Sequence, residues 1–134
     1  MADMINAQGR RQVVILLAAL PGTRRDALLA LLRALPEVQI GGVTSTLTEL
    51  LTLIERWQPD AVVIDESLCA SQSCMAAVLA QLVPAARCVA VVDGPAQRDQ
   101  CLREGAHLAF LRSGLTEQTL RSVFTEHRGQ ATAA

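Results

Sequence analysis

Short apolar runs recur along the chain at near-regular intervals. Four stand out, Val13–Ala18, Val38–Val43, Ala61–Ile64 and Cys88–Val92, and a fifth, Leu108–Leu111, is weaker. Runs this short and unbroken predict strands covered on both faces, as in a parallel sheet. Between them the spacing turns helical. Leu28, Leu31, Leu32 and Leu35 follow an i, i+3, i+4, i+7 order, as do Leu47, Leu50, Leu51 and Ile54, and again Met75, Val78, Leu79 and Leu82.

Local signals mark where these elements begin and end. Thr23 is expected to cap the first helix and Pro36 to close it. Thr46-Leu47-Thr48-Glu49 is a capping box, in which the Thr and Glu side chains each satisfy an orphan backbone N–H. Pro95 suits the first turn of a fourth helix, and Gly105 the left-handed stop after it. Thr116 is expected to cap a last helix carrying Leu120, Val123 and Phe124. The prediction is one α/β domain, a doubly wound five-stranded parallel sheet with five helices. Residues 11–128 would form it, with residues 1–10 a flexible leader and 129–134 a tail. Functional groups in such folds gather at the carboxyl ends of the strands, near the point where strand order reverses. That directs attention to residues 18–22, 65–73, 92–95 and 112–115.

Composition narrows the chemistry. The 134 residues are 51% apolar with a net charge of −1, and all twelve basic residues are arginine; there is no Lys and no Tyr. Schiff-base enzymes, phosphate-loop NTPases and Tyr acid catalysis are therefore excluded. Near-neutral charge speaks against a dedicated nucleic-acid binder. Cys69, Cys74, Cys88 and Cys101 form no Cys-x-x-Cys pair, and His107 and His127 stand in no metal-ligand spacing with them. Reduced thiols are expected, Cys88 as a small core residue, with a Cys69/Cys74 redox pair the lesser alternative. Arg10-Arg11 before Val13–Leu20 has the look of a short signal peptide. Because such runs recur, a first buried strand is the preferred reading, and no run reaches the roughly 20 residues that span a bilayer. A cytoplasmic protein without a membrane segment is expected.

Three local stretches share one likeness: Pro59-Asp60-Ala61-Val62-Val63-Ile64-Asp65, Pro21 after the first strand, and Glu104-Gly105-Ala106 followed by Leu108–Arg112. With them the chain, from Arg11 to Arg128, resembles a response-regulator receiver domain of the CheY-like type. The first stretch resembles the family's third strand, which ends on its phosphoacceptor aspartate, here Asp65. Pro21 stands where many receivers carry a proline, and the last stretch resembles the turn into the fifth strand.

The resemblance also implies what this chain lacks. Receivers hold a divalent cation with an acidic pair ending the first strand, since hard cations need carboxylate oxygens. Ala18-Ala19 stand there instead. The hydroxyl residue that ends the fourth strand is replaced by Val92 and Asp93, and an inward Asp93 would repel a phosphoryl group. The signalling Lys becomes Arg112, the Pro after it Ser113, and the switch aromatic Ala109. Of the family's machinery Asp65 and a cation at Arg112 survive, the pattern of an atypical or pseudo-receiver lacking the acidic metal-binding pair.

The implied protein is thus a non-enzymatic signalling module in a two-component or phosphorelay context. It acts through a protein partner or a homodimer, with a histidine kinase or an output domain as partners. No cofactor, metal or nucleic acid is expected within these residues; Mg²⁺ enters only if Asp65 is after all a phosphoacceptor. Arg112 is an anion site or, preferably, the ion-pair partner of Asp65 or Asp93. Phe110, Leu115, Val123 and Phe124 are interface candidates, some of them bound to belong to the core. Gly41-Gly42 reads as a bulge or a close approach, and Trp57 as core or edge packing with an interface anchor as its other reading. Arg24, Arg25, Arg33, Arg98 and Arg103 read as solvated helix faces.

Overall fold

The structure, a computed structural model, describes residues 12–68 and 74–124. Both predicted tails, Cys69 and the side chain of Cys74, and hence their pairing, lie outside the described residues. Five parallel strands, β1 (Val13–Ala18), β2 (Val38–Thr44), β3 (Ala61–Asp65), β4 (Arg87–Val92) and β5 (Leu108–Leu111), lie in the order β2-β1-β3-β4-β5. Helices α1 (Thr23–Arg33), α2 (Leu47–Trp57), α3 (Cys74–Gln81) and α4 (Pro95–Arg103) connect them, and residues 117–124 form α5.

Strand side chains alternate between two cores, as the two-residue period of a strand requires. Val13, Ile15 and Leu17 of β1 join Val63 and Val91 under Leu28 and Leu32 of α1 and Leu120 and Phe124 of α5. Leu16, Ala18, Val62, Ile64 and Val92 face the other way, under Leu50 and Ile54 of α2, Met75 and Val78 of α3 and Cys101 of α4. Each fully buried Leu, Ile or Phe contributes about 1.5–3 kcal/mol relative to an exposed one, so continuous apolar runs become the central strands. The weaker run becomes one edge strand, β5, and the run interrupted by Gln39 and Gly41-Gly42 becomes the other, β2.

The helix ends follow local chemistry with one correction. Thr46 Oγ1 accepts the Glu49 N–H at 3.1 Å, and Thr116 Oγ1 accepts that of Thr119 at 3.2 Å. Thr23 does not cap α1: Gly22, at φ 145°, takes the cap position without a side-chain bond, and Thr23 is already helical. The Pro21-Gly22 turn breaks the chain one residue earlier than the hydroxyl alone would suggest. Between β1 and β2 the register jumps from Ile15↔Ile40 to Leu16↔Gly42, leaving Gly41 as a bulge. A Cβ on Gly42 would lie 2.8 Å from Leu53 Cδ1, so α2 packs here against bare backbone.

Asp60, in the motif that leads into β3 and one residue before the strand itself, ties the sheet at its other end. Its Oδ2 accepts the Val14 N–H at 2.8 Å, and its own N–H donates to the Val14 carbonyl.

Candidate functional site at the carboxyl edge of the sheet

Strand order, not sequence proximity, assembles the site. Because β3, β4 and β5 are neighbours and parallel, the residues at or just after their carboxyl ends, Asp65, Asp93 and Arg112, line up along one edge. Ala18 ends β1 on the other side of Asp65, at the place where the connections reverse direction.

Asp65 is 2% exposed, and both its oxygens are engaged. Oδ1 accepts the Ser67 N–H and the Ser67 hydroxyl, each at 3.0 Å, in the short 3₁₀ turn Glu66–Leu68. Oδ2 accepts Arg112 Nη2–H at 2.9 Å. The same guanidinium donates from Nε to Asp93 Oδ1 at 2.9 Å. Asp93 Oδ2 in turn accepts Arg24 Nη1–H at 2.9 Å, so four alternating charges run from α1 to β3. Burial works against the Arg112 charge, yet the hydrogen bonds and charges of Asp93 and Asp65 outweigh it and push its pKa above the ordinary arginine value. The Arg112 hydrogen bond, ahead of the charges of Arg112 and Arg24, holds the Asp93 carboxyl below its usual range.

Arg112 thus pairs with both aspartates, not with one of the two. Arg24 is more than a solvated helix residue, since it closes the far end of the chain of charges; its place in the first turn after β1 was the available signal. Ser67 was not legible, because its role follows from the turn after β3. Asp93 points at two guanidiniums and is neutralised by them.

The donor set falls short of what a hard divalent cation asks for, six or more oxygens with carboxylates among them. Ala18 and Ala19 are fully buried and offer methyl groups. The oxygens of Asp65 and Asp93 already accept from Ser67, Arg112 and Arg24, which leaves the buried Oε2 of Glu66 as the carboxylate oxygen directly after β3 without a partner among the described residues. Among the described residues no three His, Cys, Asp or Glu side chains gather as a metal site.

The remaining positions separate by depth. Val92 is fully buried and Ala109 packs against the second core. Of the interface candidates, Phe124 and Val123 sit in the first core at 1% and 8% exposure, whereas Phe110 and Leu115 are partly buried at its margin. Trp57 packs at the edge of the second core, near Gly41. Cys88 is buried against Met75, and burial pushes its thiol up to about 12.

No protein-family model matches the chain, and no curated protein does. Solved structures do. The signal receiver domain of the response regulator NarL from Mycobacterium tuberculosis superposes with a TM-score of 0.73 at 22% identity, covering 88% of this chain and 98% of that one. The signal receiver domain of an HD-domain protein from Pseudomonas fluorescens Pf-5 gives 0.74 at 18% identity, over 92% and 100%. A CheY-like response regulator from Mesorhizobium loti gives 0.64 at 20% identity, over 87% and 98%. At such identities the shared property is the architecture. The chain has the receiver fold.

Proposed function

We propose that this chain is a receiver-like signalling module that works by protein–protein contact or self-association and is not phosphorylated by the usual Mg²⁺-dependent route. One observation carries the reading: the carboxylate at the phosphoacceptor position is buried, its one oxygen held by Ser67 and its other by Arg112, with Ala18 and Ala19 where cation-holding carboxylates would be. Phosphoryl transfer needs a carboxylate oxygen free to attack and a cation to neutralise the incoming charge. Here the arginine supplies the neutralisation permanently, and it does so for Asp65 itself.

With the chemistry replaced by an ion pair, the output of the module is its surface. A hollow of about 440 Å³ lies between β5 and α5, with Leu108, Phe110 and Val123 beside Thr119 and Ser122. Its mixed apolar and hydroxyl lining suits a protein partner such as an output domain, a kinase or a second copy. The module is non-enzymatic and cytoplasmic in this reading; no helix among the described residues is long and apolar enough to cross a membrane.

The test is incubation with Mg²⁺ and acetyl phosphate, and separately with beryllofluoride, read by intact mass and by amide chemical shifts around Asp65. No adduct and no shift are expected. An adduct that disappears in Asp65→Asn overturns the reading in favour of a phosphoryl-accepting receiver.

A further inference from the structure

A second hollow, of about 360 Å³, opens beside Arg112, between α1 and the turn after β5. Ala27, Leu28, Leu31 and Leu115 give it an apolar lining, and Arg24 and Arg112 stand in its wall. The volume is that of a small-ligand site, and apolar walls with a few polar groups are the usual make-up of one. Both arginines belong to the chain of charges that ends on Asp65.

The two guanidiniums are not held alike. Arg112 is 24% exposed and anchored on a buried carboxylate. The Arg24–Asp93 pair is 58% and 49% exposed at its two ends. Exposed pairs are screened by water and weakly held, so a competing carboxylate displaces one readily. Asp93 retains Arg112 when it loses Arg24.

We propose that this hollow binds a small organic acid, a carboxylate on a short apolar body, whose carboxylate takes Arg24 from Asp93 while its body covers Leu28, Leu31 and Leu115. The charge decides that the ligand is an anion, and the lining decides that it is amphipathic. Binding leaves Asp93 to Arg112 alone and so alters the hold of Arg112 on Asp65. In this way the inference deepens the signalling reading, giving the ion-paired site an input other than phosphorylation. Binding is read without phosphoryl donors, so either claim can fail while the other stands.

Octanoate is the probe, titrated into the full chain and followed by methyl and amide NMR, with octanamide as its uncharged match. Octanoate is expected to shift Ala27, Leu28, Leu31 and Leu115, with half-saturation at or below about 1 mM for a ligand of this size. The side-chain Nε–H signal of Arg112 moves with them. Octanamide and the Arg24→Gln variant bind about tenfold more weakly, and Asp93→Asn, which removes the competitor, binds more tightly. Equal binding of octanamide, or unchanged affinity in Arg24→Gln, overturns the proposal by showing an apolar surface without charge recognition. Shifts that map elsewhere, or none at several millimolar, overturn it outright.

Discussion

Arg112 Nη2 lies 2.9 Å from Asp65 Oδ2, which brings a residue after the edge strand onto a carboxylate two strands away. The guanidinium can do this while also holding Asp93 because its donors are spread over a planar fork. An ammonium has one point of charge. An arginine is therefore not interchangeable with a lysine at this position: it permits one side chain to hold two aspartates at once.

Removing that side chain leaves Asp65 buried with half its partners. Arg112→Ala is expected to destabilise the chain by about 2–4 kcal/mol, the cost of stranding a buried charge that keeps only its Ser67 bonds. Arg112→Lys should fall between the two. Urea midpoints at constant slope measure the loss, and a change below about 0.5 kcal/mol, the usual size of a surface effect, would show the pair to be ornamental.

Acid should undo the pairs that Asp93 makes with Arg112 and Arg24. Asp93 titrates below its unfolded value of 3.8, so its contribution is complete above that pH and is lost as the pH falls through the folded value. The stability difference between the parent chain and Asp93→Asn is expected to be flat from neutral pH down to about 5 and to vanish below the carboxylate range. Denaturant midpoints across that series test it; a difference persisting at pH 2 contradicts the assignment.

At the other end of β4, His107 Nδ1 accepts the Cys88 N–H at 2.8 Å, while the Cys88 carbonyl accepts the His107 N–H at 2.9 Å. The neutral ring therefore carries its proton on Nε2. Burial, then the Arg87 charge, holds its pKa below the ordinary 6.5. Its contribution is whole above pH 6.5 and is lost as the pH falls through the folded value. Hydrogen exchange of the Cys88 amide, corrected for intrinsic rate, should accelerate below that value and be insensitive to pH in His107→Gln. A ring protonated on Nδ1 at pH 7.5 would refute this.

Thiol reactivity follows burial. With its thiol raised to about 12 and packed against Met75, Cys88 should resist iodoacetamide at pH 8 in the folded chain and react only as the chain unfolds. Peptide mapping after timed alkylation in increasing urea gives the answer, and rapid labelling without denaturant would mean that the second core opens locally.

Gly105 offers a backbone test. It sits at φ +110°, and a Cβ there would meet Leu79 Cδ1 at 2.6 Å. Gly105→Ala is expected to cost about 1–3 kcal/mol from strain and crowding, whereas Gly114→Ala, with open space around it, should be near neutral. Equal thermal midpoints for the two variants would count against the turn geometry.

Much of this protein was decided by local pattern. Apolar runs and helical spacings alone place β1 at Val13–Ala18 and β5 at Leu108–Leu111, and locate α2 behind its Thr46 cap. These signals act within a few residues, because hydrogen-bond satisfaction at a helix end and the two-residue period of a strand are local constraints. That Ala18, Ala19 and Ala109 bring no side-chain donor or acceptor was equally legible, since a methyl group is apolar in any fold.

Tertiary structure decided the partnerships. Whether Arg112 takes Asp65 or Asp93 has no answer in a chain where the residues are 47 and 19 positions apart. The order β3-β4-β5 lays their ends side by side, and one planar cation then reaches both. Arg24 reaches Asp93 over 69 positions for the same reason, and only packing depth within one core separates Phe124 inside it from Phe110 at its margin. Charges and apolar groups are properties of the residues. Which of them meet depends on the long-range strand pairing that closes the sheet.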